Sequence, residues 1–170
     1  MAADELIQIV DSNDDPVGTA TRAQAWQDGL IHRIAVVMVE DKDGKILLQK
    51  RSSTKTIYPN AWDIAAGGWV DAGESYEVAA KRELAEELGI TNLNLIELGH
   101  FYADKPYGKY IRKRFIKAYK VKANKTPTNL QTNELSEVKW FNLPEIKDLI
   151  REHPDKVMDD LQYVIERYYK

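Results

Sequence analysis

Glu83, Glu86 and Glu87 fall within five positions of GGWVDAGESYEVAAKRELAEELGI, residues 67–90, a stretch that holds five glutamates in all. On a helix the positions i, i+3 and i+4 share one face, so the three side chains gather together. Like charges at this spacing cost an isolated helix roughly 0.2–0.5 kcal/mol per pair. In a cleft with an effective dielectric near 20 the cost rises to about 3 kcal/mol at ~6 Å. Basic residues four positions on would relieve it, yet those positions hold Glu87, Ile90 and Thr91. A hard divalent cation resolves the repulsion, because Mg²⁺ takes carboxylate oxygens and fills its remaining positions with water and substrate phosphate. Such an ion polarises a phosphoryl oxygen and acidifies an attacking water. The chemistry in view is hydrolysis of a phosphoanhydride by in-line attack at phosphorus.

Other residues could serve the same chemistry. Gly67 and Gly68 let backbone approach a ligand closely at the loop that enters the helix. Glu74 and Arg82 lie on the two sides of the helix start and are expected to pair, fixing loop to helix. Arg51, Lys55, Arg112 and Arg114 are candidate charge partners for phosphates; a solvated strand face explains Arg112 and Arg114 equally well. Trp62, Trp69 and Tyr102 suit either a stacked base or the core, with core the better reading of Trp62. Glu134 and Glu137 precede the segment VKWF and read equally as surface loop or as further acidic groups for the site.

Composition narrows the field. The 170 residues suit one domain, residues 1–170, with a substantial core, and 44% apolar with 30% charged content reads as soluble and globular. A formal charge of −3 gives no global basic field, so no stable nucleic-acid partner is expected. Cysteine is absent, which removes disulfides, thiolate metal sites and cysteine nucleophiles together. His32, His100 and His153 are far apart in sequence, so a His/Cys zinc site is disfavoured and any metal should be a hard ion held by oxygen. No apolar run approaches the ~20 residues that span a bilayer, and the start MAADELIQIV lacks a signal-peptide core. A cytoplasmic protein without a membrane partner is expected.

The elements that must position these groups follow from pattern. Residues 5–10, the turn-rich DSNDDPVG and TATR suggest a short hairpin or extended arm over residues 1–30. RIAVVMVE (33–40) and KILLQKR (45–51) around DKDG form a stronger hairpin, the first strand buried on both faces. Residues 52–66 read as a long loop. The helix runs from near Ser75 to Leu88, with Gly89 as its left-handed cap. Leu84 and Leu88 face away from the carboxylates, and Lys81 falls near that apolar side, where a snorkelling stem would accommodate it. Strands are expected at 93–103, 110–121 and EVKWFNL, and helices at 144–152 and 155–169. In the strand at 110–121, Ile111, Phe115 and Tyr119 alternate with Arg112 and Arg114. The order describes an α/β (α+β) fold, an α/β/α sandwich with a mixed sheet and an N-terminal β arm. Aromatic residues in QYVIERYY suit a packed terminal helix or a homodimer contact.

From Gly68 the spacing is glycine, five residues, Glu74, seven residues, then RELAEELGI. Gly68, Glu74, Arg82, Glu83, Leu84, Glu86, Glu87, Gly89 and Ile90 match every defined position of the Nudix box, residues 68–90. The chain thus resembles the Nudix hydrolase (MutT-like) superfamily, and LLQKR before the box and ELSEVKWF after it extend the likeness. The resemblance implies Mg²⁺, with Mn²⁺ as a substitute, and a small-molecule pyrophosphate substrate such as a nucleoside diphosphate linked to another moiety. It makes Glu83 and Glu87 the principal metal ligands and Glu86 a further ligand or water-positioning base, with the Gly67 carbonyl as an added donor.

The segments IQIVDSNDDPVG, HRIAVVMV and YPNAWDIAAGG are also similar to the isopentenyl-diphosphate isomerase branch. That branch would place its catalytic cysteine at Gly67 and metal-binding histidines at Ala25 and Trp69, and only His32 survives of its set. Its strand glutamates are replaced by the basic run at 110–121. The likeness therefore implies a hydrolase, with an isomerase-like enzyme or a non-catalytic nucleotide sensor as alternatives. Sensors usually lose box glutamates, and this chain keeps them.

Overall fold

The computed structural model describes residues 5–170; residues 1–4 of the expected arm lie outside the described residues. The arm is built rather than extended. β1 (Leu6–Val10) and β2 (Pro16–Thr21) form an antiparallel hairpin, and α1 (Arg22–Asp28) follows at once. Thr21 and Gln24 cap α1 reciprocally, and Gly29 ends it at φ 66° in the left-handed region. β1 joins the main sheet through Ile9 opposite His32.

β3 (His32–Glu40) is the hub, pairing antiparallel with β1, β4 (Ile46–Arg51) and β6 (Ala66–Trp69), and parallel with β8 (Lys113–Lys122). β5 (Trp62–Ile64) and β9 (Leu135–Phe141) pair antiparallel with β4, and β7 (Ile96–Asp104) with β8. The result is a mixed open sheet with helices on both faces, an α+β architecture as expected.

The period-2 geometry of β3 divides the core. Ile34, Val36 and Met38 face α3 (Leu143–Glu152) and α4 (Asp159–Tyr168), packing with Ile146, Leu161, Val164 and Ile165. Ala35, Val37 and Val39 face α2 (Tyr76–Leu88), packing with Ala79, Ala80, Leu84 and Leu88. Ser75 caps the start of α2 and Gly89 its end at φ 65°. The strand is buried on both faces because both faces carry helices.

Several expectations need correction. The segment 52–66 contains β5, whose pairing with β4 a Pro-Asn punctuation concealed. Lys81 does not snorkel over the core: it is exposed and meets Glu77 at 2.7 Å. Helix 155–169 is a 3₁₀ turn, Pro154–Lys156, followed by the shorter α4. Ile111 and Arg112 precede β8 rather than belonging to it. The solvated face supposed for Arg112 and Arg114 is instead interior, at 2% and 1% exposure, because α4 covers that side of the sheet. Val164 and Ile165, in the core beside Leu161, make QYVIERYY part of a packed terminal helix.

Candidate active site

β6 and α2 bring the box together. Gly67 and Gly68 lie on β6 against β3, and α2 packs across them. A side chain has no room at Gly67, and at Gly68 it would have to displace the Glu83 carboxylate. A Cβ on Gly67 would stand 2.9 Å from both the Ala35 carbonyl and Val36 Cγ1, and one on Gly68 would collide with the Glu83 carboxylate. The absence of a side chain at Gly68 is what lets the Glu83 carboxylate lie against the strand.

Arg82 organises this junction. Its Nε donates to Glu74 Oε1 at 2.8 Å and its Nη2 to Glu74 Oε2 at 2.9 Å, the bidentate pairing expected between loop and helix. The same guanidinium donates to the Trp69 carbonyl at 3.0 Å and to Glu83 at 2.8 Å, and its Nη1 lies 3.5 Å from Glu86. The charge repulsion on α2 is thus partly relieved from the N-terminal side, by Arg82 itself. Looking four residues downstream could not reveal this.

Glu83 and Glu87 are buried and Glu86 is exposed. Gly67 N–H donates to Glu87 Oε1 at 3.1 Å, and Gln49 Nε2 reaches Oε2 at 2.5 Å. Burial first, and the neighbouring Glu83 second, hold the Glu87 carboxyl well above the usual range. Burial also raises Glu83, against the pull of Arg82. Two buried carboxylates one turn apart, each made costly to ionise, form a donor set of the kind that a hard cation stabilises. Among the described residues no group of three or more acidic or histidine side chains already stands in metal-holding geometry. Arg82, Gln49 and the Gly67 amide have turned the carboxylates onto protein donors. Glu83 and Glu87, with Glu86 at the rim, nonetheless fit a hard ion by type, burial and shared helix face.

A cavity of about 1010 Å³ opens over the box and is lined by Glu83, Glu86, Glu87, Gly67 and Gly68. All four basic candidates also line it. Arg51 donates from Nε and Nη2 to the Ile57 carbonyl and from Nη1 to Asp63 at 3.1 Å. Lys55 Nζ meets Glu134 at 2.5 Å, which brings Glu134 to the cavity. Arg112 grips Asp159 with two bonds of 2.8 and 2.9 Å, and Arg114 meets Asp160 at 2.5 Å and Asp159 at 3.2 Å. Both guanidiniums thus serve the fold, pinning β8 and the residue before it to the start of α4. Glu137 points away from the cavity toward Lys50, 3.6 Å distant, and Tyr102 packs on Phe115 at the surface. Trp62 packs against the core and Trp69 lines the cavity.

α1 escaped the sequence reading, and with it Arg22 and Trp26, which line the cavity. Thr21-x-x-Gln24 followed by Gly29 was the signal that could have found it.

Comparison with known proteins agrees with this geometry. Residues 30–161 match the NUDIX domain family. An uncharacterised Nudix hydrolase of Pseudomonas aeruginosa is 39% identical over 142 residues, 84% of this chain and 80% of that protein. An isopentenyl-diphosphate Delta-isomerase of Photorhabdus laumondii is 32% identical over 168 residues, 94% of each chain. A crystal structure from Deinococcus radiodurans superposes with a TM-score of 0.83 at 26% identity, covering 98% of this chain and 100% of that one.

Proposed function

This chain belongs to the Nudix family, and on that premise we propose that it hydrolyses a phosphoanhydride bond in a nucleoside diphosphate derivative or related pyrophosphate, with Mg²⁺ or Mn²⁺ as cofactor. The observation that carries the reading is the pair Glu83 and Glu87, buried on one face of α2 at a glycine strand and opening on the cavity. A divalent cation, when bound, neutralises phosphate charge and acidifies a water. Glu83 and Glu87 would hold it, with Glu86 as a further ligand or as the group that orients the water, and the Gly67 carbonyl as an added donor. Arg82 keeps Glu74 and α2 in register, so that the carboxylates stay aimed across Gly68.

Arg51 and Lys55, at the same cavity, are the cations that would meet a polyphosphate there. Lys55 can transfer from Glu134 to a phosphate by side-chain rotation. Arg112 and Arg114, matched in charge by Asp159 and Asp160, act as a rigid wall of the cavity.

A double-bond isomerase is the second reading, favoured by the relative aligned over 94% of the chain. Against it, position 67 has no space for a side chain and the chain has no cysteine. Incubation with Mg²⁺ and a panel of nucleoside diphosphate derivatives, with isopentenyl diphosphate alongside, separates the two. Phosphate-bearing products that appear only with metal support the hydrolase. Tight nucleotide binding with no turnover of any panel member would overturn it, and dimethylallyl diphosphate formation would install the isomerase.

A further inference from the structure

Arg51 and Asp63 meet because the sheet register brings them together. Gln49 on β4 stands opposite Asp63 on β5, and Arg51, two residues further along β4, reaches Asp63 on the diagonal of the same face. Its Nη1 donates to Asp63 Oδ2 at 3.1 Å. Gln49, on that face too, donates to Glu87. One strand thus presents a donor bound to a box carboxylate and, about 6.6 Å further on, a guanidinium. All four residues line the cavity.

The guanidinium is fixed but not used up. Nε and Nη2 both donate to the Ile57 carbonyl, at 3.1 and 3.0 Å, and Nη1 donates once to Asp63. Of its five N–H groups, one remains on each terminal nitrogen, the pair with which arginine grips a phosphate. Ile57 belongs to the loop between β4 and β5, whereas Asp63 belongs to β5 itself. The second oxygen of Asp63 is also tied down, since Oδ1 accepts from the Ile64 N–H at 2.7 Å. Of the two anchors on Arg51, Asp63 is therefore the one set by the sheet.

This pair differs from the other basic groups at the cavity. Arg112 and Arg114 share Asp159 and Asp160 inside the fold, and Lys55 holds Glu134 by one flexible contact. Side-chain exposures of 12% for Arg51 and 14% for Asp63 leave little water to screen their charges. The charged groups facing Asp63 are Arg51 from β4 and Asp160 from α4. Burial pushes the Asp63 carboxyl up to about 6, while Arg51 pulls it down and Asp160 adds to the rise. Asp63 thus places Arg51 and, when ionised, also offsets its charge.

We propose that Asp63 is a positioning residue for substrate binding: from β5 it holds Arg51 in place for a phosphate beside the carboxylates of α2, and its own charge sets how strongly Arg51 draws that phosphate. This rests on the hydrolase reading for the identity of the substrate. Asp63 touches no reacting atom and acts through Arg51, on binding rather than on bond cleavage.

Calorimetric titration with methylenediphosphonate, a diphosphate mimic with no anhydride to cleave, tests it in Mg²⁺ between pH 5 and 7.5. Asp63→Asn and Asp63→Ala both lack the charge, and only the first keeps an acceptor for Arg51. Asp63→Ala should bind more weakly than Asp63→Asn by about two- to tenfold, the cost of ordering one long side chain on binding. In an Arg51→Gln background the two should bind alike. The ratio of wild-type to Asp63→Asn dissociation constants should rise from near one at pH 5 to severalfold at pH 7.5, because only the wild type regains the opposing charge. Titration of the ligand and of the α2 carboxylates cancels in that ratio. With a nucleoside diphosphate derivative from the hydrolysis panel, the same differences should appear in KM and not in kcat. Melting curves verify each fold, and the wild-type to Asp63→Asn comparison stands without the alanine variant.

Equal affinity of Asp63→Ala and Asp63→Asn overturns the positioning role, as does a difference that persists without Arg51. A ratio that stays flat with pH overturns the part assigned to charge. The expected binding pattern with no panel member hydrolysed keeps the positioning role and removes the hydrolase reading. Hydrolysis with one KM for wild type and both variants keeps the hydrolase and removes the role of Asp63.

Discussion

Glu87 on α2 accepts a hydrogen bond from the backbone N–H of Gly67 on β6 at 3.1 Å, tying the buried carboxylate to the strand against which α2 packs. The bond needs only an acceptor oxygen at that place, so a side chain of the same shape without the charge can keep it.

Glu87→Gln makes that change. The isostere keeps the packing and removes a carboxyl whose ionised form burial already disfavours. Thermal melting without metal should stay level or rise, while turnover drops by about 10²-fold or more and Mg²⁺ no longer shifts the melting temperature. Activity close to wild type would refute the assignment of Glu87 as a metal ligand.

Gly68→Ala tests space rather than charge. The added methyl falls on the Glu83 carboxylate, which is the flexible end of a side chain and can swing aside. Stability should change by less than about 1 kcal/mol, whereas the Mg²⁺ concentration needed for half-maximal rate should rise severalfold. Unchanged metal dependence would show that Glu83 does not need its observed position.

Arg114→Met would leave Asp160 inside the fold with Arg112 at 3.9 Å as its remaining partner. Uncompensated burial of a charge costs about 3–5 kcal/mol, which a shift in the urea midpoint reports. The double change Arg114→Met with Asp160→Leu should recover much of that loss, because it removes both charges together. A single variant as stable as wild type contradicts the interior placement of the network.

His32 sets a pH dependence. Its folded pKa of about 3 lies below the ordinary value of 6.5. Between those values the unfolded chain holds a proton that the folded chain refuses, so stability rises with pH in this window. It is complete above pH ~6.5 and declines by up to about 1.4 kcal/mol per unit on acidification. Other carboxylates also titrate there, so the measurement is the difference between wild type and His32→Gln in urea at pH 7, 6 and 5. A difference that does not change with pH counts against a buried neutral ring.

Asp14 anchors the arm. Within the β1–β2 turn it receives Arg33 Nε at 2.7 Å and the Tyr76 hydroxyl at 2.7 Å, with His100 Nε2 at 3.0 Å. Its φ of 63° lies in the left-handed region, which asparagine also tolerates, so Asp14→Asn removes charge without adding strain. Loss of about 1–3 kcal/mol is expected, together with faster hydrogen exchange at the β1–β2 amides. Exchange indistinguishable from wild type would mean that the strand pairing alone holds the arm.

Much of the architecture was legible because it rests on local rules. Gly89 after a glutamate-rich run marks a helix end, and alternation or an unbroken apolar run marks a strand, whatever the rest of the chain does. The segments that were misjudged depend on distant partners. β5 is three residues long and exists through its ladder with β4. α1 has seven residues, too few to be stable alone, and is held in place by the Ile111 N–H to Trp26 carbonyl bond and by the hairpin before it.

The same division runs through the site. By itself the sequence determined the carboxylate face of α2 and the Glu74–Arg82 pair, since helix periodicity puts i, i+3 and i+4 together in any fold; Gly67 and Gly68, read as a loop, lie on β6 because that segment pairs with β3. Only tertiary structure decided that Arg114 is buried beside Asp160, forty-six residues away, and that Trp26 faces the same cavity as Glu83. Those neighbours are set by which strand pairs with β3 and which helix covers the sheet. Long-range pairing leaves no periodic trace in the segments it joins.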